Sequence, residues 1–471
     1  MLETHSSVIF LIGALAFKLK KPVDLGFLDW TSRPARQLAC SREVELNRRL
    51  APDVYLGVAD VGAPDGSPLD HLVMMRRMPA DRMLSTLATG GAALYPEIRE
   101  VAQKLAEFHA SAETSKTIRS AGAPGRMLQL WDDNFRSLRQ SGPDVIDSAE
   151  IDEAEGHVHR YFAGRAPMLH QRVEVGLIRD GHGDLQADDV FLLPDGPRLL
   201  DCLDFDDRLR HGDVLSDAAF LAMDLERLGR KDLAAEFLHA YCNVAAETHP
   251  ATLLDLYIAY RAQVRAKVKC ISAAQGDPDA VGEAQTLHRL SLQHLRAASV
   301  RLVVVGGAPA TGKSTLARLL GNQRGWMVLS SDEVRRELLG DSADQAGRYS
   351  ARAKDQVYAA ILSRAELLLG MGESVVVDAT WAQPRWRAAA ADVAKRTTSE
   401  FHQFRCDVAP DVARQRATAR RASGEGASQA GPQEADLVRA QFAAWSEAVT
   451  LQTAGVVGQT LQELASHLDG H

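Results

Sequence analysis

The chain has 471 residues, 46 % of them hydrophobic and 25 % charged, which is ordinary globular usage. That length corresponds to roughly two to four domains and excludes disorder as the general state. A net charge of −8, from 54 basic and 62 acidic residues, gives no reason to expect a dedicated duplex-DNA binder.

Residues 1–80 read as a small sheet with one helix. Strands are expected at 8–12 and 16–20, a helix at 32–50, and a strand at 72–75 after the turn signals of 62–68. The longest apolar run, Val8 to Phe17, falls short of the about 20 residues that a membrane-spanning helix needs. With Glu3 ahead of it and Lys18, Lys20 and Lys21 behind it, it is not a secretory leader either. Five scattered cysteines (Cys40, Cys202, Cys242, Cys270 and Cys406) lack any CxxC spacing, so neither a disulfide framework nor a structural zinc site is expected. A reducing, cytoplasmic setting fits that usage, with no membrane association.

Residues 81–298 read as mostly helical. The stretch 97–112 places Ile98, Val101, Leu105 and Phe108 at helical spacing, and 214–245 and 252–274 follow the same rule. His109 on the first of these reads as a packed histidine. The helical pattern breaks once, at 176–205. There His182, Gly183 and Asp184 open a short loop that leads to Asp188 and Asp189. The run 190–193, the turn Pro194-Asp195-Gly196-Pro197 and the run 198–200 then form a hairpin signal. Centred on Asp195, the hairpin sets Asp189 and Asp201, each six residues away, side by side. Two juxtaposed carboxylates repel unless a cation sits between them, and a hard divalent ion completed by phosphate oxygens would be Mg²⁺. Asp184 is then free to act as a base. The same spacing also fits a polar loop with solvated aspartates.

These residues resemble the aminoglycoside phosphotransferase family, a branch of the protein-kinase-like fold, over nearly all of 1–298. The likeness rests on HGDLQADD, LLDCLDFDD, AFKLKKP, CSREVELNRRL, KLKKPVDLGFLDW and LNRRLAPDVYLGV. It implies Asp184 as the catalytic base and Asp201 as a metal ligand. It also implies Lys18 as the nucleotide-binding lysine, with Lys20 on the same strand face, and Glu43 as the helix partner of that lysine. Met75 to Met78 would form the hinge between a small lobe at 1–80 and a helical lobe at 81–298. Two departures stand out. Asp189 replaces the family's loop asparagine, which adds a charge to the metal site. Members of this branch usually carry more sequence before the segment matching Glu3, Thr4 and His5, so the strand ahead of Val8 and part of the phosphate-covering loop are expected to be missing.

After the linker-like stretch 275–282 the pattern changes near residue 298. Apolar strands at 301–305, 327–329 and 374–377, and a further strand at 401–408, alternate with helices. That alternation implies a parallel sheet covered on both faces. Gly307, Ala308, Pro309, Ala310, Thr311, Gly312, Lys313 and Ser314 match G-x-x-x-x-G-K-[ST] between a buried strand and a helix opening at Thr315. Backbone N–H groups of such a loop turn inward on phosphate, the lysine reaches the β/γ-phosphates, and the serine hydroxyl binds Mg²⁺. Asp332 and Asp378 end the next two strands, where an open parallel sheet gathers its chemistry. Asp332 is placed to accept a hydroxyl proton, or to cap a helix; Arg335, to hold an anionic acceptor group; Asp378, to hold Mg²⁺ through water. Arg414, Arg416, Arg420 and Arg421 crowd a helix before the loop 423–431 and suit a lid over the transferring phosphate, with Arg416 and Arg420 as candidate contacts.

Residues 299–471 resemble the small-molecule kinases of the P-loop superfamily, relatives of gluconate kinase, chloramphenicol phosphotransferase, zeta toxins and polynucleotide 5′-hydroxyl kinases. The likeness is carried by GGAPATGKST, LSSDEVRREL, VVVDAT and ARQRATARR. The fold expected is therefore a bilobal protein-kinase-like domain followed by a P-loop NTPase domain, α+β and α/β. The expected activity is Mg²⁺-dependent phosphorylation, from ATP or GTP, of a hydroxyl on a small molecule. A polynucleotide 5′-hydroxyl acceptor, or a catalytically weak first domain that senses nucleotide for the second, are the alternatives. Sequence leaves the acceptor and the oligomeric state open.

Overall fold

In the computed structural model the described residues are 2–3, 6–24, 29–65, 68–340, 347, 350–423 and 432–470. Residues 4–5 and 25–28 of the segments quoted above, and 424–431 of the expected loop 423–431, lie outside them. Two compact units form. One comprises 1–155, 169–249 and 253–296; the other comprises 156–168, 250–252 and 297–471. Among the described residues no helix is long and apolar enough to cross a membrane.

The first unit opens with β1 (Leu2–Glu3), β2 (Ser7–Ile12), β3 (Leu15–Lys20), β4 (Tyr55–Gly62) and β5 (Pro68–Arg76). They form one antiparallel sheet in the order β1-β2-β3-β5-β4. The sequence reading missed β4, where Gly57, Asp60 and Gly62 interrupt the apolar run. The helix Arg33–Asn47 starts where the Ser32 hydroxyl accepts the Ala35 N–H at 3.3 Å, with Pro34 in its first turn. Its apolar face, Cys40 and Val44, packs on Tyr55, Val73 and Met75. The same helix buries Glu43, and a carboxylate is not buried without partners.

The remainder of this unit is helical. Ile98, Val101, Leu105 and Phe108 of the helix Tyr95–Ser111 are all buried, against Leu221, Phe237 and Tyr241. The stretch 214–245 is two helices, Val214–Arg227 and Lys231–Ala245, parted at Gly229 with φ 79°. The stretch 275–282 is not an interdomain linker. It joins and enters two long helices of this unit, Ala251–Ala274 and Ala280–Ala297. Short strands β6 (Ile178–Asp180), β7 (Val190–Leu193), β8 (Gly196–Leu199) and β9 (His211–Asp213) pair as β6 with β9 and β7 with β8.

Within this helical part, His294 Nδ1 lies 2.7 Å from Asp255 and Nε2 lies 3.2 Å from Glu226. Burial opposes charge on the ring, but hydrogen bonds to Asp255 and Glu226 outweigh it and hold His294 at about 9. A raised histidine stabilises the fold fully below its unfolded value, about 6.5, and loses that contribution as pH rises through 9. The shift corresponds to about 3 kcal/mol. Urea unfolding of the wild type should therefore weaken from pH 6 to pH 9.5, and His294→Gln should flatten that slope.

The second unit holds β10 (Arg301–Gly306), β11 (Met327–Ser330), β12 (Val375–Asp378), β13 (Glu400–Asp407) and β14 (Val449–Gln452). All pair in parallel, in the order β11-β12-β10-β13-β14. Val303, Val305 and Val376 are fully buried beneath Leu316, Leu320 and Leu464 of helices Lys313–Arg324 and Val457–Asp469. The register sets Asp378 opposite both Val305 and Ser330, so three strand ends meet at one edge.

Candidate active sites

In the second unit β10 leads straight into the loop 307–312. Gly307 has φ 141° and Gly312 φ 93°. A Cβ on Gly307 would lie 2.5 Å from the Cys406 carbonyl oxygen, so no larger residue fits there. Thr311 Oγ1 donates to the Ala308 carbonyl at 2.9 Å and closes the loop on itself. Lys313 opens the next helix at 8 % exposure and makes no ion pair or side-chain hydrogen bond among the described residues. Asp378 is 5 % exposed, and its Oδ1 has no hydrogen-bond partner among the described residues. Burial lifts its carboxyl above the usual range, against Lys313 and the Ser314 hydroxyl, which lower it. An orphaned carboxylate oxygen beside a hydroxyl and a loop of N–H donors is a set that fits Mg²⁺ and nucleotide phosphate.

Asp332 lies in the first turn of the helix Ser331–Leu339; Ser330, not Asp332, is its N-cap residue. Arg335, one turn on, donates to the Asp332 carboxylate. The expected acceptor-binding arginine thus also fixes the candidate base. Of the lid arginines, Arg416 donates to the Thr453 carbonyl at 2.8 Å and lies beside Gly312, whereas Arg414 turns to Asp436 at 3.3 Å. The side chains of Arg420 and Arg421 lie outside the described residues. A cleft bordered by Gly312, Thr315, Arg416, Thr453 and Thr460 opens beside the phosphate loop. Sequence reading missed Thr453 and Thr460 because β14, which positions them, has only four residues and a half-polar pattern.

In the first unit the hairpin turn is the residue pair Pro194 and Asp195, since Leu193 pairs with Gly196 and Val190 with Leu199. The centre is therefore half a residue earlier than expected, and Asp189 stands opposite Leu200, whose N–H donates to the Asp189 carbonyl at 2.9 Å. Asp201 follows in the left-handed region, φ 58°, which turns its side chain out of the ladder. Lys18 Nζ contacts Glu43 Oε1 at 2.9 Å and Asp201 Oδ1 at 2.7 Å. Lys20 Nζ contacts Glu43 Oε2 at 2.8 Å and Asp204 at 2.7 Å, with its ammonium 4.2 Å from the Trp30 ring centre. Glu43 thus bridges two lysines, and Asp204, unassigned from sequence, is part of the same network.

Burial, then Asp201 and Asp184, push Asp189 well above the usual carboxylate range. Lys18 holds Asp201 below it. Burial raises Asp184 to about 6, opposed by Arg265 and Arg261. The mutual repulsion among these three carboxylates is what a divalent cation would relieve. The loop that carries Asp184 is pinned from behind by Asp217, which accepts the His182 N–H at 2.6 Å and the Gly183 N–H at 2.8 Å. His109 contacts Asp217 at 3.0 Å through Nε2 and the Tyr241 hydroxyl at 2.8 Å through Nδ1. Asp217 was overlooked in the sequence, although a carboxylate inside the fully buried run Val214–Leu225 was a visible signal.

Residues 302–445 match the family model described as an AAA domain. Uncharacterized proteins of Mycobacterium tuberculosis and Mycobacterium bovis are each 42 % identical over 460 residues, which is 96 % of this chain and 92 % of theirs. Among solved structures, an APS kinase from Mycobacterium tuberculosis in complex with AMPPNP and APS is similar over 36 % of this chain and 98 % of its own, at 20 % identity and TM-score 0.29. A gluconokinase from Sinorhizobium meliloti is similar over 35 % of this chain and 90 % of its own, at 15 % identity and TM-score 0.26.

Proposed function

The chain belongs to the same family as these mycobacterial proteins, and on that premise we propose that it is a kinase with two nucleotide-binding modules, each directed at a hydroxyl of a small molecule. One observation carries the reading: in the P-loop unit a buried Lys313 that forms no ion pair or side-chain hydrogen bond among the described residues, and an Asp378 oxygen without a hydrogen-bond partner among them, sit at the same phosphate loop. Both are costly in isolation and both are satisfied by a magnesium–nucleotide complex.

In that unit the N–H groups of 307–313 and Lys313 bind the phosphates of ATP or GTP. Ser314 and Asp378 hold Mg²⁺, which when bound neutralises charge on the phosphates. Asp332 accepts the acceptor's proton, and Arg335 keeps its carboxylate aimed. The planar guanidinium of Arg416, held by Thr453, offers a stacking surface for the base. In the first unit Lys18 and Glu43 position the nucleotide, Asp189 and Asp201 hold the cation, and Asp184 takes the proton. Asp217 and His109 keep the Asp184 loop in place. A second reading, in which the first unit senses nucleotide without turnover, is favoured by the extra charge that Asp189 brings.

Transfer of labelled γ-phosphate from ATP and from GTP tests this, into a metabolite extract and into 5′-hydroxyl oligonucleotides. Separate products lost with Asp184→Ala and with Lys313→Ala are expected. Label lost only with Lys313→Ala makes the first unit a sensor, and label in oligonucleotides points to end processing. Full transfer by the double variant would sink the scheme.

A further inference from the structure

Among the described residues of the first unit, two that are not glycine hold a left-handed backbone. Ala246 does so where a helix ends, a common place for that conformation. Asp201 does so at φ 58°, at the candidate cation site. Residues with a Cβ enter that region at a cost, which an aspartate eases when its carboxylate bonds the backbone nearby. Here the Asp201 carboxylate accepts from Lys18 Nζ instead, at 2.7 Å. Its side chain is 57 % exposed, so packing does not offset the strain either.

Two buried side chains hold the turn. The Tyr55 hydroxyl accepts the Asp201 N–H at 3.1 Å, and Asn47 Oδ1 accepts the N–H of the next residue, Cys202, at 2.8 Å. Tyr55 is 2 % exposed and Asn47 1 %. The peptide N–H groups on both sides of the Asp201 Cα are thereby fixed. Asn47 also donates through Nδ2 to the Glu43 carbonyl at 2.9 Å, one turn back on its own helix. The Cys202 N–H can meet only the amide oxygen and the Glu43 carbonyl only the NH₂ group, so the amide has one orientation. Glu43 is the carboxylate that bridges Lys18 and Lys20. Asn47 therefore ties the helix turn of the lysine partner to the peptide next to Asp201. A strained backbone that is over-determined by buried polar groups, and that presents an exposed carboxylate, is strain kept for the direction of that carboxylate.

We propose that Asn47 and Tyr55 are positioning residues of the first unit, which hold Asp201 in its left-handed turn and so keep its carboxylate beside Lys18, aimed at the cation that accompanies the nucleotide. The inference rests on the reading of Asp201 as a cation ligand. Each side chain acts through the Asp201 backbone rather than by touching the nucleotide. Without them the turn relaxes and the carboxylate swings away, while the Lys18–Glu43 pair that positions the phosphates stays. The effect falls on the Mg²⁺-dependent part of nucleotide binding and spares the rest.

The test is calorimetric binding of AMPPNP to the full chain carrying Lys313→Met, which silences the P-loop unit, with excess Mg²⁺ and with EDTA. Asp201→Ala should remove most of the affinity that Mg²⁺ adds. Tyr55→Phe, which keeps the ring, and Asn47→Leu should each cut that gain by about three- to ten-fold, the size of one hydrogen bond, without weakening binding in EDTA. In the Asp201→Ala chain neither should cost anything further, because both act through that residue. Tyr55→Phe decides alone if circular dichroism shows that Asn47→Leu does not fold. A full Mg²⁺ gain in either folded variant, an equal loss with and without Mg²⁺, or a loss that persists in the Asp201→Ala chain overturns the proposal. A Mg²⁺ gain that survives Asp201→Ala, or no AMPPNP binding to the Lys313→Met chain, overturns the reading of the first unit on which the proposal stands, so the two failures are distinct.

Discussion

Replacing Lys313 by Met should cut phosphoryl transfer at the P-loop unit by about 10²–10³-fold, the loss that follows removal of one aimed electrostatic donor. The same variant should be no less stable than the wild type, and more stable in the absence of nucleotide. At 8 % exposure and without an ion pair among the described residues, the ammonium is held in the interior with Asp378 as the carboxylate it acts on, a charge whose fuller partner is the nucleotide phosphate. Methionine keeps the stem's apolar contacts and removes the charge. Thermal unfolding read with and without Mg·ATP separates the two effects. The wild type should gain stability with nucleotide, by linkage, and Lys313→Met should start higher and gain little. A variant that unfolds earlier than the wild type would mean that Lys313 is a structural cation, and the argument from its isolation would fail. Asp378→Asn provides the matching case from the acidic side, since an amide there still fills the space but holds Mg²⁺ poorly.

That such a site could be found from residues alone has a physical reason. A phosphate loop needs glycines at fixed offsets, because Gly307 has no room for a Cβ and Gly312 sits at φ 93°. The buried strand before it must be apolar on both faces. These constraints are local, so they are written into consecutive residues. The elements that went unseen are held by contacts distant in sequence. The strand Val449–Gln452 gains its place only by pairing with Phe404 to Asp407, and it is what brings Thr453 against Arg416. Asp217 pins the His182–Gly183 backbone from 34 and 35 residues away. The hairpin was legible but its centre was not. A two-residue turn closing at Gly196, φ 110°, shifts the register so that Asp201 leaves the ladder rather than pairing across from Asp189. Lys20 was read as sharing a strand face with Lys18, yet the double bridge through Glu43 needed the helix Arg33–Asn47 at its observed place.

Asp184→Asn should have opposite effects on activity and on stability in the first unit. In the proposed role of base, Asp184 would account for about 10²–10⁴-fold of transfer, and that much should be lost. Its carboxyl stands at about 6 in the folded chain, against an ordinary value near 3.8, with burial as the main cause. A carboxyl raised on folding disfavours the folded state wherever it is ionised, so its cost appears as pH rises above 4 and is complete above 6. At neutral pH that cost approaches about 3 kcal/mol, less whatever solvent reaches the half-buried group. The asparagine variant removes it, so urea unfolding at pH 7.5 should show a gain of about 1–3 kcal/mol that vanishes at pH 4. The wild-type transfer rate should follow the complementary curve, falling as pH drops through 6 because only the ionised carboxylate accepts the hydroxyl proton. If the variant is destabilised at pH 7.5, or if transfer at the first unit is level between pH 5 and 7, Asp184 is a solvated aspartate and the base lies elsewhere. If stability rises and transfer falls together, the cost of burying that charge is one the fold bears for the sake of the reaction.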